Sequence, residues 1–356
     1  MPSNTTLSKD EIDRYSRQIR MPEIGKEGQM KIKGASVLVV GAGALGCPVL
    51  QYLTAAGVGT LGIVDNDWID ETNLNRQVLY SVNDIGKPKP LAAKEKLKLL
   101  NPEVSFKVHF IRLDKVSALK VISQYDIIVD CTDNFSSRYL INDASVILKK
   151  PVVYGAIHKF SGQIMALNYQ NGPTLRCIYP EPPHSLEVPS CDEAGVIGPI
   201  AGIIGSFQAS EVIKIILEKG DVLSGKLLII DSLNFRTQIV SFERNPASSD
   251  ILELGDYDDD CLSDFKSIRE LSCSDIRKMQ KKGDDFIIIN LQEDSEKKDI
   301  GFDYISIPYY EIHRNIDFLL TKSKIIFYCT NGVKSMNVIS YLQKVHNMEN
   351  LYNLLI

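Results

Sequence analysis

The run Gly41-Ala42-Gly43-Ala44-Leu45-Gly46 follows an apolar stretch, Val37-Leu38-Val39-Val40, and opens a helical pattern from Cys47 to Ala56. Glycines at that spacing allow a tight turn and let phosphate oxygens approach backbone N–H groups at a helix N-terminus. Asp65 lies nineteen residues beyond Gly46, at the end of the next apolar stretch, where a carboxylate accepts hydrogen bonds from ribose hydroxyls. Strand, glycine turn, helix and acid together point to nucleotide binding, with Gly41, Gly43, Gly46 and Asp65 as its contact residues. The pattern does not separate NAD from ATP, and a glycine turn serving only helix–strand packing reads the same way.

Other residues of chemistry-bearing type follow in order. Asn73 and Arg76 stand in Asp67-Trp68-Ile69-Asp70-Glu71-Thr72-Asn73-Leu74-Asn75-Arg76-Gln77, Lys89 in Ile85-Gly86-Lys87-Pro88-Lys89, and Asp133 in Asp130-Cys131-Thr132-Asp133-Asn134. Taken singly, Asp133 suits a cap on a helix starting at Asn134, Lys89 a solvated loop lysine, and Arg76 a structural ion pair. Cys191 follows a proline-rich segment and precedes a helix, a placement that lowers a thiol pKa, while the adjoining Asp192 and Glu193 raise it. A free cysteine without covalent chemistry is the other reading of Cys191.

These residues need a scaffold, and the apolar runs supply one. Strands are expected at 37–40, 61–65, 104–111, 126–130 and 152–155, with helices over 47–56 and 91–100 between them. Strands alternating with helices, several apolar on both faces, predict an α/β fold: a Rossmann-like, mainly parallel sheet. Strands at 163–169, 227–231 and 237–242 predict an antiparallel extension, with a helix from about Pro199 to Glu218. Asn245 to Asp264 holds many acids and no Lys or Arg, the composition of a solvated linker. Beyond it a helix over 267–282, strands over 286–290 and 325–328, and a helix from Ser335 predict a second, small α/β domain. The expected domains are 1–246, a linker 247–264, and 265–356.

The runs from Asp67, Ile85 and Asp130, with Arg14-Tyr15-Ser16-Arg17-Gln18-Ile19 ahead of them, resemble the MoeB/ThiF/HesA adenylyltransferases, relatives of the ubiquitin-activating enzymes. The resemblance covers about residues 10–246 and keeps the family's motif order. It implies ATP and Mg²⁺ as cofactors and a homodimer. By that resemblance Arg76 and Lys89 contact the phosphates, Asn73 helps position them, Asp65 holds the ribose, and Asp133 binds Mg²⁺. Arg17 would reach across the dimer into the partner's ATP site. The residue types suit the reaction, because adenylating a carboxylate brings two anions together and cations must offset their repulsion. A NAD-dependent dehydrogenase on the same glycine loop leaves Asn73, Arg76, Lys89 and Asp133 unexplained.

Many relatives carry zinc on two C-x-x-C pairs; here Thr174-Leu175-Arg176-Cys177 and Ala247-Ser248-Ser249-Asp250 leave one ligand, so no zinc is expected. Cys329-Thr330-Asn331-Gly332-Val333-Lys334-Ser335 resembles the rhodanese active-site loop, over a domain of about residues 265–356. Thr330 and Lys334 stand where the family has arginines, and Asn290-Leu291-Gln292 where many members have Asp-x-Arg. The resemblance implies Cys329 as a sulfur-carrying catalytic residue, with Cys191 assisting, or else a domain that only docks a partner. The implied partner is a small ubiquitin-like sulfur carrier of the MoaD/ThiS type ending in Gly-Gly, with a cysteine desulfurase or other sulfur donor. A net charge of −5 argues against nucleic acid, and no stretch reads as a membrane anchor or signal peptide. Seven cysteines without framework spacing suit a reducing, cytoplasmic setting.

Overall fold

The computed structural model describes residues 6–181, 195–255, 257, 268–292, 300–330 and 332–355. They form two compact units: Asp70–Asp84, Ala92–Tyr257 and the chain up to Asp65 in the first; Asn66–Ile69, Ile85–Leu91 and the chain after Tyr257 in the second.

In the first unit three short helices, α1 (Lys9–Arg14), α2 (Ser16–Ile19) and α3 (Gly25–Gly34), precede β1 (Ser36–Val40), α4 (Gly46–Ala56) and β2 (Thr60–Val64). α5 (Lys89–Leu100, in this unit from Ala92), β3 (Ser105–His109), α6 (Lys115–Ile122), β4 (Ile127–Asp130), α7 (Phe135–Ile147) and β5 (Val152–His158) continue the alternation. β6 (Ser161–Leu167), α8 (Leu175–Ile178), α9 (Gly198–Leu217), β7 (Lys226–Asp231), β8 (Arg236–Ser241) and α10 (Pro246–Ser249) complete it. The eight strands run in the order β3-β2-β1-β4-β5-β6-β7-β8. Pairings up to β4–β5 are parallel and those from β5–β6 onward are antiparallel. This is the expected mixed sheet. The strand order reverses between β1 and β4, so the loops after these two strands open together at the carboxyl edge, where α/β sheets bind ligands.

The core explains why the parallel strands read as continuous apolar runs. Val37, Leu38, Val39, Leu61, Ile63, Ile128 and Val129 are all buried, which requires cover on both faces. α9 supplies part of that cover. It is long and apolar enough to cross a membrane by length and composition, yet ten of its residues, including Gln208 and Glu211, are buried in the unit. α4 ends at Gly57, whose left-handed φ of 85° closes the helix. The Tyr15 ring fills the space beside Gly57 where a side chain would stand, and Asn101 Nδ2 donates to the Tyr15 hydroxyl at 2.7 Å.

The acid-rich stretch after Asn245 is not wholly solvated. Leu254 and Tyr257 pack against the core of the first unit. The Tyr257 hydroxyl donates to buried Asp143 at 2.6 Å, beside the Arg176–Asp143 pair. Composition missed this because the cation comes from Arg176, far back in the chain.

The second unit holds β9 (Arg269–Ser272), α11 (Cys273–Lys282), β10 (Ile287–Asn290), β11 (Ile305–Ser306), α12 (Ile316–Leu320), β12 (Ile325–Tyr328), α13 (Val333–His346) and β13 (Leu351–Leu355). Its sheet, β11-β10-β12-β13-β9, is parallel throughout. The helix expected over 267–282 is corrected: Arg269–Ser272 is a strand, and the helix begins only at Cys273. Ser272 caps it, its side chain and backbone paired with Asp275 in a capping box. The strand exists because Tyr352 to Leu355 offers it a partner, which no local pattern reveals.

Candidate active site

Three glycines in the β1–α4 loop serve three geometric ends. Gly41 has φ +96°, and a Cβ there would stand 2.6 Å from the Cys131 carbonyl, so the loop lies against the end of β4. A Cβ on Gly46 would stand 2.0 Å from the Gly41 carbonyl, which lets α4 start close against β1. A Cβ on Gly43 would meet only Gln77 Nε2, at an ordinary contact distance of 3.7 Å, so the face over Gly43 is free of backbone and crowded by no side chain. The peptide between them is pinned from both sides. Asp65 Oδ2 accepts from Ala42 N at 2.7 Å, and the Tyr80 hydroxyl donates to the Ala42 carbonyl at 2.7 Å. Asp65 thus holds the turn through one oxygen, a role the sequence did not reveal. Tyr80 was missed altogether, since nothing local marks it.

Asn73 closes a 3₁₀ turn, Glu71–Asn73, with Asp70. Arg76 N bonds back to the Asn73 carbonyl at 3.1 Å, so these two expected phosphate contacts share one turn. Arg76 is half-buried, and its Nη1 donates to the Thr72 carbonyl at 2.9 Å and Asn75 Oδ1 at 3.2 Å. The start of α9 packs on this run: a Cβ on Gly198 would stand 2.6 Å from the Asn75 carbonyl.

Asp133 is exposed, on the loop after β4. Asn134, not Asp133, caps α7, accepting from Ser137 N at 2.8 Å. The helix-cap reading of Asp133 is therefore wrong. The loop is anchored below by buried Asp130, whose Oδ1 accepts from Thr132 N at 2.9 Å and Thr132 Oγ1 at 2.6 Å. Burial pushes the Asp130 carboxyl above its usual range, and Arg138 and Thr132 pull against that rise. Arg138 Nη2 donates to the Thr132 carbonyl at 2.8 Å, and its Nη1 to the Tyr154 hydroxyl. Gln208 on α9 donates to the Asp130 carbonyl at 2.8 Å, so α9 holds both this loop and the Arg76 run. A cleft of about 1090 Å³ lined by Ala35, Asp126 and Pro151 sits at the opposite end of the strands and holds none of these residues.

Lys89 belongs to the second unit and opens α5. It is buried, and its ammonium meets exposed Asp67 at 2.9 Å. The solvated-loop reading of Lys89 is thus corrected; its backbone is held as well, by the bond from Lys89 N to the Asp67 carbonyl and by the Trp68–Pro88 bridge. Arg17 is exposed on α2, whose neighbour Gln18 is tied to Gln29 and the Ala56 carbonyl. Cys191 lies outside the described residues. Cys177 Sγ accepts from Thr174 N and Asn245 N, each at 3.3 Å, and links the two segments where the relatives' paired cysteines are expected.

In the second unit Cys329 directly follows β12 and is buried, 3% exposed. Its Sγ accepts from Ser335 N at 3.3 Å in the first turn of α13, with Ser335 Oγ at 3.4 Å. Ser335 Oγ pairs in turn with Asn353 Oδ1 at 2.7 Å. Of the residues standing in for family charges, Gln292 donates to Thr330 Oγ1, and the Lys334 ammonium lies 4.7 Å from the centre of the Tyr309 ring. The Ser335–Asn353 pair was not foreseen.

The ThiF family model matches residues 15–250. The sulfur carrier protein adenylyltransferase of Thermus thermophilus is 47% identical over 67% of this chain and 90% of its own length. The probable adenylyltransferase/sulfurtransferase MoeZ of Mycobacterium tuberculosis is 43% identical over 72% of this chain and 67% of its own. The adenylyltransferase and sulfurtransferase MOCS3 of Culex quinquefasciatus is 49% identical, over 64% of this chain but only 52% of its own. The fold is shared with the crystal structure of Escherichia coli MccB with ATP, at TM-score 0.59 and 23% identity over 67% of this chain and 74% of that one. With the pinned glycine loop at the sheet's switch point, these matches place the chain in the ThiF family, as an adenylyltransferase.

Proposed function

We propose that this enzyme adenylates the C-terminal carboxylate of a small ubiquitin-like sulfur carrier ending in Gly-Gly, and that the carrier is then converted to a thiocarboxylate. The observation that carries the first step is the open face over Gly43, flanked by Asp65 and by backbone N–H groups at the start of α4. A carrier carboxylate oxygen attacks the ATP α-phosphorus, the bond to the β-phosphate oxygen breaks, and pyrophosphate leaves. Arg76, and by family resemblance Lys89, offset the charge gathered there, while Asn73 orders the run that bears Arg76. Exposed Asp133 suits Mg²⁺, which takes one or two protein carboxylates and fills its shell with phosphate oxygens and water; when bound it would neutralise phosphate charge. Arg17, exposed on α2, would serve the ATP site of the partner in a homodimer.

The second step rests on Cys329. A persulfide there, loaded by a cysteine desulfurase or another donor, attacks the acyl carbonyl and AMP leaves; a second thiol, assigned to Cys191, then attacks the Cys329 sulfur, which releases the thiocarboxylate and leaves a Cys191–Cys329 disulfide for a cellular thiol reductant to reopen. Neutral Gln292 and Thr330 beside the cysteine favour sulfur from a protein persulfide over a small anion such as thiosulfate. The product would feed molybdopterin, thiamin or tRNA thiolation in the cytoplasm. ATP–pyrophosphate exchange with Mg²⁺, adding Gly-Gly-ended carriers one at a time, tests the reading. Exchange that depends on a carrier supports it; NAD binding without ATP binding would sink it.

A further inference from the structure

Two short stretches from the first half of the chain, Asn66–Ile69 and Ile85–Leu91, belong to the second unit. An aromatic stack inside that unit holds them. The rings of Trp68 and Tyr341 lie 4.6 Å apart, centre to centre, and 18° from parallel. Trp68 is buried and is the only tryptophan in the chain. Gly86 lets the chain come close: a Cβ there would stand 2.9 Å from His313 Cβ and 3.3 Å from the Tyr341 hydroxyl, and its φ of +79° favours glycine. Tyr341 is braced in turn by the His346 ring, edge-on at 5.5 Å.

The stack sits one residue from charged groups on each stretch. Trp68 follows Asp67 and bridges to Pro88, which precedes Lys89. Gly86 N bonds to the Ile69 carbonyl at 2.8 Å, and Lys89 N to the Asp67 carbonyl at 2.9 Å. Fixing Trp68 therefore fixes, through the backbone, both residues of the Lys89–Asp67 pair. Tyr341 lies on α13, six residues beyond Ser335, or about 9 Å along the helix whose first turn donates to Cys329 Sγ. One helix thus meets the sulfur site at its start and the lysine's stretch further on.

We propose that Tyr341 is a positioning residue for adenylation, which through its stack on Trp68 fixes the stretch that presents Lys89 to phosphate. The sulfur-bearing unit then takes part in the first step as well as the second. The inference rests on the adenylation reading and extends it to a residue beyond the 15–250 family match.

The test follows ATP–pyrophosphate exchange and tryptophan emission in the full-length protein, where a single tryptophan reports the stack directly. In Tyr341→Ala the emission should move to longer wavelength and become open to acrylamide. The KM for ATP should rise about tenfold, what an aromatic pair can contribute, with exchange at saturating ATP kept within about twofold. Tyr341→Phe keeps the ring and should match wild type in both readouts, as should Cys329→Ala, which leaves the stack whole. If Tyr341→Ala fails to fold, Tyr341→Leu, apolar but without a ring, decides in its place. An exposed Trp68 with unchanged KM, a lower saturating rate at unchanged KM, or an equal loss in Tyr341→Phe would overturn the assignment while leaving adenylation standing. Unchanged emission in Tyr341→Ala would overturn the stack and the assignment with it. A wild-type protein that supports no exchange with any carrier would overturn the adenylation reading as well.

Discussion

The loops after β1 and β12 make the same turn, from a parallel strand into a helix, and use it in opposite ways. In the first unit side chains reach in from outside to pin the Ala42 peptide, through Asp65 and Tyr80, and the loop presents bare backbone over Gly43. In the second unit the loop presents a side chain, and the surroundings converge on its sulfur through Ser335, backed by buried Asn353. Absence of side chain suits a large anion that must come and go. A shielded thiol under backbone N–H suits a covalent bond. The strand–loop–helix sets where chemistry happens, and the occupancy of the loop sets which kind.

If the two loops do separate jobs, changes at one should leave the other's chemistry alone. The largest effect is expected for Arg76→Ala and Asp133→Ala, each lowering ATP–pyrophosphate exchange about 100-fold or more, with Cys329→Ala within about twofold of wild type. Exchange that collapses in Cys329→Ala would break the separation.

The glycines sharpen the contrast within the first loop. Gly46→Ala forces a Cβ into the Gly41 carbonyl and should cost about 3 kcal/mol in a denaturant melt. Gly43→Ala, with its nearest neighbour at 3.7 Å, should change stability by less than about 1 kcal/mol yet weaken ATP binding. In the second loop Ser335→Ala leaves buried Asn353 Oδ1 without its partner and should cost about 1–3 kcal/mol while exchange is kept.

The smallest effect tests whether strand packing near the first site feels pH. Burial, reinforced by the Lys107 charge, lowers the His109 pKa below 6.5. The fold thus prefers neutral imidazole, so the stability it contributes is full above 6.5 and is lost as pH falls through the window below that value. His109→Gln should flatten that acid-side loss in melts taken between pH 7 and pH 5; a slope equal to wild type would assign the loss elsewhere.

The ThiF-type fold was legible because β1, β2 and β4 are uninterrupted apolar runs, and because Gly41 and Gly46 hold their places for steric reasons that spacing encodes. β9 was misread, since Arg269–Ser272 alternates weakly and is ordered by Leu351–Leu355, more than eighty residues away. Lys89 looked solvated because its neighbours are prolines and lysines; it is buried in a run whose backbone pairs 67–69 with 86–89, a pairing that no local pattern marks.

By itself the sequence determined what local spacing can hold: strand and helix periods, the glycine turn, and the order of acid, arginine and lysine after it. The tertiary structure alone decided which side chains hold the loops still. Asp65 meets Ala42 across 23 residues, Tyr80 across 38, and Gln208 meets Asp130 across 78. Such partners share no period with what they touch. A hydrogen bond is set by distance in space, and the chain brings those atoms within reach only once the sheet has closed and α9 has packed over it.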